Sequence, residues 1–302
     1  MAEEAKRHSE SVLSDRRDRW WNDDFLQLIA KRLSLHEHER VLDVGCGQGH
    51  WGQRLLPLFA ADARLEGVDQ ESSWTELATA RAERLGVGGR CSYRVGRADD
   101  LPYPDGSFTL VTCQTLLMHL RDPEVGLREM LRVLNPGGRL LLAEPSNVAS
   151  QFSADTVQRA LSPAEIADIA HLLIACSRGR AKLGRGDDCM ADTLPSLLDR
   201  LHVQSIVGFQ NDRASLLRPP YDEGEVAELE EQLSYVSRKF WLWDKDDARL
   251  LFDNGAGDTR RFEDLYASFL RQTEIFAQQV RDQTYTHHGA SFHFLITGVK
   301  KE

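Results

Sequence analysis

Three glycines at alternate positions, Gly45, Gly47 and Gly49 in VLDVGCGQG, follow an apolar run directly and precede a helical pattern. Glycine permits left-handed backbone angles and puts no side chain between backbone amides and a ligand, so the turn suits a polar group laid against the main chain. The dinucleotide fingerprint spaces its glycines GxGxxG; here they read GxGxG. Asp69 closes a second apolar run, RLEGVD, where a carboxylate can accept both hydroxyls of a ribose, chemistry that a nicotinamide cofactor would use equally. A plain tight turn and a helix cap ahead of SSW are the bland readings of the two features. Together they point to a ligand that carries a nucleoside.

Further groups could act on a substrate. His119, in LLMHLRDP, stands just beyond the fourth expected strand, at the sheet end where ligands gather, and imidazole is a suitable base near neutral pH. The alternative is a structural histidine bonded to the next loop. His171 sits on an otherwise apolar helix and reads either as cavity-facing or as a satisfied core histidine. Asn147, after the fifth strand, could orient a substrate or cap a turn. Tyr235, Phe240, Trp241 and Trp243 crowd one helix end and could line an apolar pocket or simply pack a core. His287, His288 and His293 suggest a metal only by count. No acidic ligand spacing accompanies them and strand alternation turns His293 away, so no metal is expected.

The elements that must position these groups alternate. From Trp20 to Leu33, Phe25, Leu28, Ile29 and Leu33 recur at helical spacing and predict one buried stripe. Then come a strand, the glycine turn, a helix that Pro57 kinks or shortens, the strand ending at Asp69, a helix around SSWTELATARAERLG, and the strands CSYRVG and SFTLVTCQT. A helix PEVGLREMLRVL, closed by NPGG, leads to a fifth strand, RLLLAEP. Such crossovers build a doubly wound α/β, mostly parallel sheet with helices on both faces. After Asn147 the alternation stops. Ser162, Pro163 and Glu165 form a capping signature for a helix through about Cys176, where the glycines and charges of SRGRAKLGRGDD break it. TLPSLLDRLHV predicts a short helix into a sixth strand at VQSIVGFQ. About 80 residues of helical pattern then precede FHFLITGV, which reads as a last edge strand. The expected division is residues 1–40 as an N-terminal helical lid, 41–218 as a core with a helical insert near 150–200, 219–285 as a helical cap, and 286–302 as the last edge strand.

The text LPYPDGSFTLVTCQTLLMHLRDPEVGLREMLRVLNPGGRLLLAEP, together with VLDVGCGQG and GVDQ, resembles the class I S-adenosylmethionine-dependent methyltransferases, particularly their small-molecule, methyltransferase type 11-like group. The resemblance spans roughly Val41 to Pro145. It implies a Rossmann-like seven-stranded sheet whose last strand is antiparallel and inserted between the fifth and sixth. It also implies S-adenosylmethionine as cofactor and S-adenosylhomocysteine as product. The methionine portion would lie over Gly45, Cys46, Gly47 and Gly49, near Gln114, with Asp43 fixing the turn and meeting the ammonium through water. Asp69 would hold the ribose, and Gln70 or Trp74 would flank the adenine. Where the family commonly has an acid accepting the adenine amino hydrogen, this chain has Arg97, which cannot accept a hydrogen bond. Asp99 or a water is expected to take over that role while Ala98 keeps the backbone contact. Trp20, Trp21 and Asn22 would fold over the cofactor toward the acceptor, or anchor the first helix by packing.

Net charge and composition narrow the function. With 47 acidic and 37 basic residues the net charge is -10, which disfavours a protein that tracks nucleic-acid backbones. TCQT stands where base methyltransferases carry an Asn or Asp, Pro, Pro, aromatic motif, and RPPY at Arg218 to Tyr221 falls after the sixth strand. The five cysteines lack paired metal spacings and fit a reduced, cytoplasmic chain, while no apolar run has the length of a signal peptide or membrane span. The expected activity is methyl transfer to a small-molecule oxygen or nitrogen, with carbon less favoured. A noncatalytic cofactor-binding partner is the alternative and an NAD enzyme a weaker one. Apolar helix faces in the later stretch leave monomer and homodimer both open.

Overall fold

The computed structural model describes residues 17, 20–150, 154–237, 240, 243–256, 258–289 and 292–302. They divide into two compact units, the first comprising 1–145, 190–213 and 293–302, the second 146–189 and 214–292. In chain order the elements are α1 (Asp23–Arg32), β1 (Arg40–Val44), α2 (His50–Leu55), β2 (Arg64–Asp69), α3 (Ser72–Arg84), β3 (Cys91–Val95), β4 (Phe108–Gln114), α4 (Pro123–Val133), β5 (Leu134–Pro145), α5 (Pro163–Lys182), α6 (Met190–Arg200), β6 (Gln204–Gln210), α7 (Glu223–Val236), α8 (Lys245–Gly255), α9 (Phe262–Arg281) and β7 (His293–Val299).

The first unit is a seven-stranded Rossmann-like sheet in the order β3-β2-β1-β4-β5-β7-β6. β1 to β5 run parallel, and β7 runs antiparallel to both of its neighbours. The closing strand is therefore interior, as the family resemblance implies, and β6 is the edge; the apolar run FHFLITGV alone reads as an edge because it does not reveal its neighbours. Central strands are buried almost throughout, as in β4, where only Thr109 is less than fully buried. The edge β6 is largely exposed.

The helices follow their local signals. In α1 the buried positions are Leu26, Ile29 and Ala30, continued by Leu33, while Leu28 is 45% exposed; the stripe is thus rotated from the expected one. Asp23 and Asp24 in its first turn and Lys31 and Arg32 in its last suit the helix dipole. Pro57 ends α2 by forcing the tighter turn Leu56–Leu58. Asp122 caps α4 by accepting from the Glu124 and Val125 amides, with Pro123 in the first turn.

The second unit is helical, with a small sheet made of Ala154–Asp155, His287–Gly289 and Ser215–Leu217. Residues near 150–200 do not form one insert of the core. Those from 146 to 189 join 214–292, while α6 and β6 belong to the sheet unit. The Ser162–Glu165 capping box is present, with the Ser162 amide donating to Glu165 Oε2 at 2.8 Å. The helix it starts passes Cys176 and ends at Lys182; left-handed Gly184 (φ 66°) and Gly186 (φ 96°) follow it. Gly179 sits inside this helix because a Cβ there would strike the Leu251 carbonyl of α8, and one at Gly255 would strike that of Ala175. Two backbones thus meet where only glycine fits. Leu172, Phe240, Trp243, Phe252, Phe262 and Phe269 fill the core of this unit.

Candidate functional site

The glycine turn lies beyond the carboxyl end of β1, beside the switch point between β1 and β4 where ligands bind in open sheets. Gly45 and Cys46 donate their amides to the Val68 carbonyl, at 2.7 and 3.0 Å. Gly45, Gly47 and Gly49 all have positive φ. A Cβ on Gly45 would also come within 2.6 Å of Leu116 Cδ1. The Gly47 amide donates to Asp69 Oδ2 at 2.9 Å, and the Glu71 amide to Asp69 Oδ1 at 3.1 Å. The two features that the sequence sets apart are therefore clipped together. Burial raises the Asp69 carboxyl above its ordinary value, and the two backbone donors oppose the rise.

Asp43 is buried at the end of β1. Its Oδ2 accepts the Gly52 amide at 3.0 Å, tying α2 to the strand, whereas Oδ1 has no hydrogen-bond partner. Burial pushes this carboxyl up to about 7. Asp43, Gly45 and Cys46 line a small cavity together with Gln114, His50 and Arg17. Gln114 ends β4 with a buried amide nitrogen that lacks a partner. Arg17 lies in the polar start of the chain, where no pattern marks it out. Burial pushes its guanidinium down to about 10, opposed by the charge of Glu144.

Glu144, at the end of β5, is wholly buried and also escapes sequence reading, because AEP resembles any strand end. It accepts the Leu116, Leu117 and Met118 amides at 2.9, 2.8 and 3.4 Å. Desolvation pushes it up to about 7. These bonds cap the turn Leu117–His119 and so fix the base of His119, which is itself exposed.

Residues 20–22 are held to the first unit at three points. Asn211 Nδ2 donates to the Trp20 carbonyl at 3.3 Å, Arg54 Nη2 to the Trp21 carbonyl at 2.8 Å, and Asn22 Nδ2 to Asp212 Oδ2 at 3.2 Å. The Trp20 ring stacks on His293 at 4.2 Å, and the Arg17 guanidinium lies 5.1 Å from the Trp20 ring centre. His293 is thus buried and faces Trp20. Trp21 is 1% exposed and packs against Trp51, so it is a core anchor with no surface to offer an acceptor.

Beyond Asp69 in the chain, Gln70 is exposed and Trp74 is buried in the first turn of α3. Ala98 is half-buried. Arg97 donates from Nε and Nη2 to both oxygens of Asp99, at 2.8 and 2.7 Å. Arg97 is therefore a partner of Asp99, and any further hydrogen bond to Asp99 must share a carboxylate that already accepts two.

In the second unit the Asn147 amide donates to the Asp188 carbonyl, and the His171 ring lies 5.9 Å from Phe252. Trp241 and the Tyr235 side chain lie outside the described residues. Phe240 and Trp243 are core. Among the described residues no group of three or more His, Cys, Asp or Glu side chains could hold a metal, and no helix is long and apolar enough to cross a membrane.

Residues 35–185 match a family described as a methyltransferase domain, which is half of the chain. The 27-O-demethylrifamycin SV methyltransferase of Amycolatopsis mediterranei is 34% identical over 134 residues, 43% of this chain and 48% of that protein. A ubiquinone/menaquinone biosynthesis C-methyltransferase of Geotalea daltonii is 29% identical over 133 residues, 44% of this chain and 55% of that one. The chain thus spans about half the length of these relatives. The fold is shared with a candidate methyltransferase of Bacillus halodurans C-125, 17% identical with a TM-score of 0.52 over 91% of this chain and 99% of that one. By its matched domain and its sheet order, the chain belongs to the class I S-adenosylmethionine-dependent methyltransferases, in the type 11-like group.

Proposed function

We propose that the chain transfers a methyl group from S-adenosylmethionine to a small-molecule acceptor, with the first unit holding the cofactor. The observation that carries this reading is the Gly47–Asp69 clip beside the unpartnered Oδ1 of Asp43. It supports a ligand with a cationic amino group at one end and a ribose at the other. The residues fit that group: the glycine turn admits a close backbone approach, Asp43 offers an acceptor to the ammonium, and Asp69 offers carboxylate lone pairs to the ribose hydroxyls. Gln114 adds a donor at the amino-acid end, and Trp74, Ala98 and Gln70 are proposed for the adenine side.

When bound, the cofactor supplies an electrophilic methyl on a sulfonium. Methyl transfer is an in-line displacement, so the chain's task is chiefly to align the acceptor and keep water away. A hydroxyl acceptor also needs its proton removed. His119 is proposed as that base, held by the turn that Glu144 caps. The relatives bear names that mention both an O-demethyl compound and a C-methyltransferase; oxygen or nitrogen remains our first reading here, because a histidine base serves a protic acceptor.

The test is incubation of the cofactor-saturated chain with a metabolite extract, followed by mass spectrometry. A product one methyl group heavier than its precursor is expected, and His119→Ala should lower its formation with cofactor affinity unchanged. A chain that binds the cofactor yet methylates nothing would overturn the reading in favour of a noncatalytic partner.

A further inference from the structure

Thr115, the residue after β4, is costly to the fold in two ways. Its φ is 50°, in the left-handed region, where a β-branched side chain crowds its own backbone. The other non-glycine residues described there are Ser34, His202, Ser205 and Gln283; among the described residues Thr115 alone is both β-branched and buried. Its Oγ1 is also buried, with no hydrogen-bond partner among the described residues. A hydroxyl taken from water without a partner lowers stability, as does the strained backbone.

Neighbouring bonds impose this state. The Thr115 amide donates to the Ala143 carbonyl at 2.8 Å, and Glu144 holds the next three amides, those of Leu116, Leu117 and Met118. The residue is thus tied to β5 on both flanks and cannot relax. Strain that the surroundings over-determine in this way clusters where ligands are handled. Along the chain Thr115 stands between Gln114, which lines the cavity at the glycine turn, and the turn that carries His119. Its neighbour Leu116 abuts Gly45.

We propose that Thr115 orients the methyl acceptor: its hydroxyl oxygen accepts a hydrogen bond from the O–H or N–H of the incoming nucleophile and so directs the nucleophile's lone pair at the methyl group. This rests on the methyl-transfer reading above and narrows it to a protic oxygen or nitrogen. A hydroxyl has lone pairs to offer, and alignment is what an in-line displacement needs. The unpaired hydroxyl is then a group kept for its ligand at the expense of stability.

The experiment compares wild type with Thr115→Val, which keeps the branched shape and loses the oxygen, and Thr115→Ser, which keeps the oxygen. Three quantities are read: the rate of S-adenosylhomocysteine formation with saturating S-adenosylmethionine and a metabolite extract as acceptor, the affinity for S-adenosylhomocysteine by calorimetry, and the urea midpoint. Thr115→Val should turn over about 5- to 10-fold more slowly, the effect of one hydrogen bond. Its S-adenosylhomocysteine affinity should stay within about twofold of wild type, and its urea midpoint should be equal or higher. Thr115→Ser should keep its rate within about twofold of wild type. A valine variant as fast as wild type, a lowered midpoint or affinity in that variant, a serine variant equally slow, or a product methylated on carbon overturns the assignment and leaves methyl transfer standing. Wild-type protein that forms no methylated product overturns the methyl-transfer reading, and the assignment with it.

Discussion

Asp43 and Glu144 are buried carboxyls with opposite amounts of help. Glu144 receives three backbone amides and Asp43 one, yet burial holds both at about 7. A carboxyl raised in this way stays protonated in the folded chain after the unfolded chain has released its proton. Its contribution to stability is complete below the unfolded value, near 4.5 for Glu144, and is lost as pH rises through about 7. Stability should therefore fall between pH ~5 and ~7, by up to about 1.4 kcal/mol per pH unit for each group. Glu144→Gln keeps an oxygen for the Leu116 and Leu117 amides and removes the titration. Urea unfolding across that range should give a flatter slope for the variant; parallel slopes would contradict the assignment. Of the residues in this site, the glycine turn and Asp69 were legible because each is a local pattern at a strand end. Arg17 and Glu144 were not: their meeting depends on how the topology returns the start of the chain to the end of β5.

At the scale of elements, capping chemistry was readable and close backbone contact was not. Ser162, Pro163 and Glu165 announce the start of α5 because the reciprocal cap depends on three positions within one turn. Ser162→Ala should destabilise the protein by about 1 kcal/mol in chemical denaturation. The end of α5 lies beyond the expected break because Gly179, which suggests a stop, is required by the close approach of α8. Gly255→Ala would drive a Cβ into the Ala175 carbonyl and should cost more than the cap does, about 2 kcal/mol or above. A Gly255→Ala protein as stable as wild type would show that the two helices do not meet in this way. The rotation of α1 has a similar origin. Leu26 and Leu28 are equally apolar, and only the packing of Leu26 with Ile29, Ala30 and the neighbouring core selects the buried face.

For the whole molecule, the two units interleave along the chain. The sheet unit takes three segments and the helical unit two. The order of the strands was accessible through the family resemblance, since βαβ crossovers and the closing antiparallel strand follow a shared topology. The grouping of 146–189 with 214–292 was hidden, because α6 and β6 separate them in sequence. Substrate identity has no local signature in the sequence comparable with the glycine turn.

The account depends on the sheet unit holding a nucleoside that bears an amino acid, and the most direct measurement is calorimetric titration of wild-type and Asp69→Ala protein with S-adenosylhomocysteine and with NAD. We predict saturable one-to-one binding of S-adenosylhomocysteine to wild type, about 10- to 100-fold weaker binding to the variant, and no saturable binding of NAD. Absence of S-adenosylhomocysteine binding to wild type, saturable NAD binding, or an Asp69→Ala protein with undiminished affinity would contradict it.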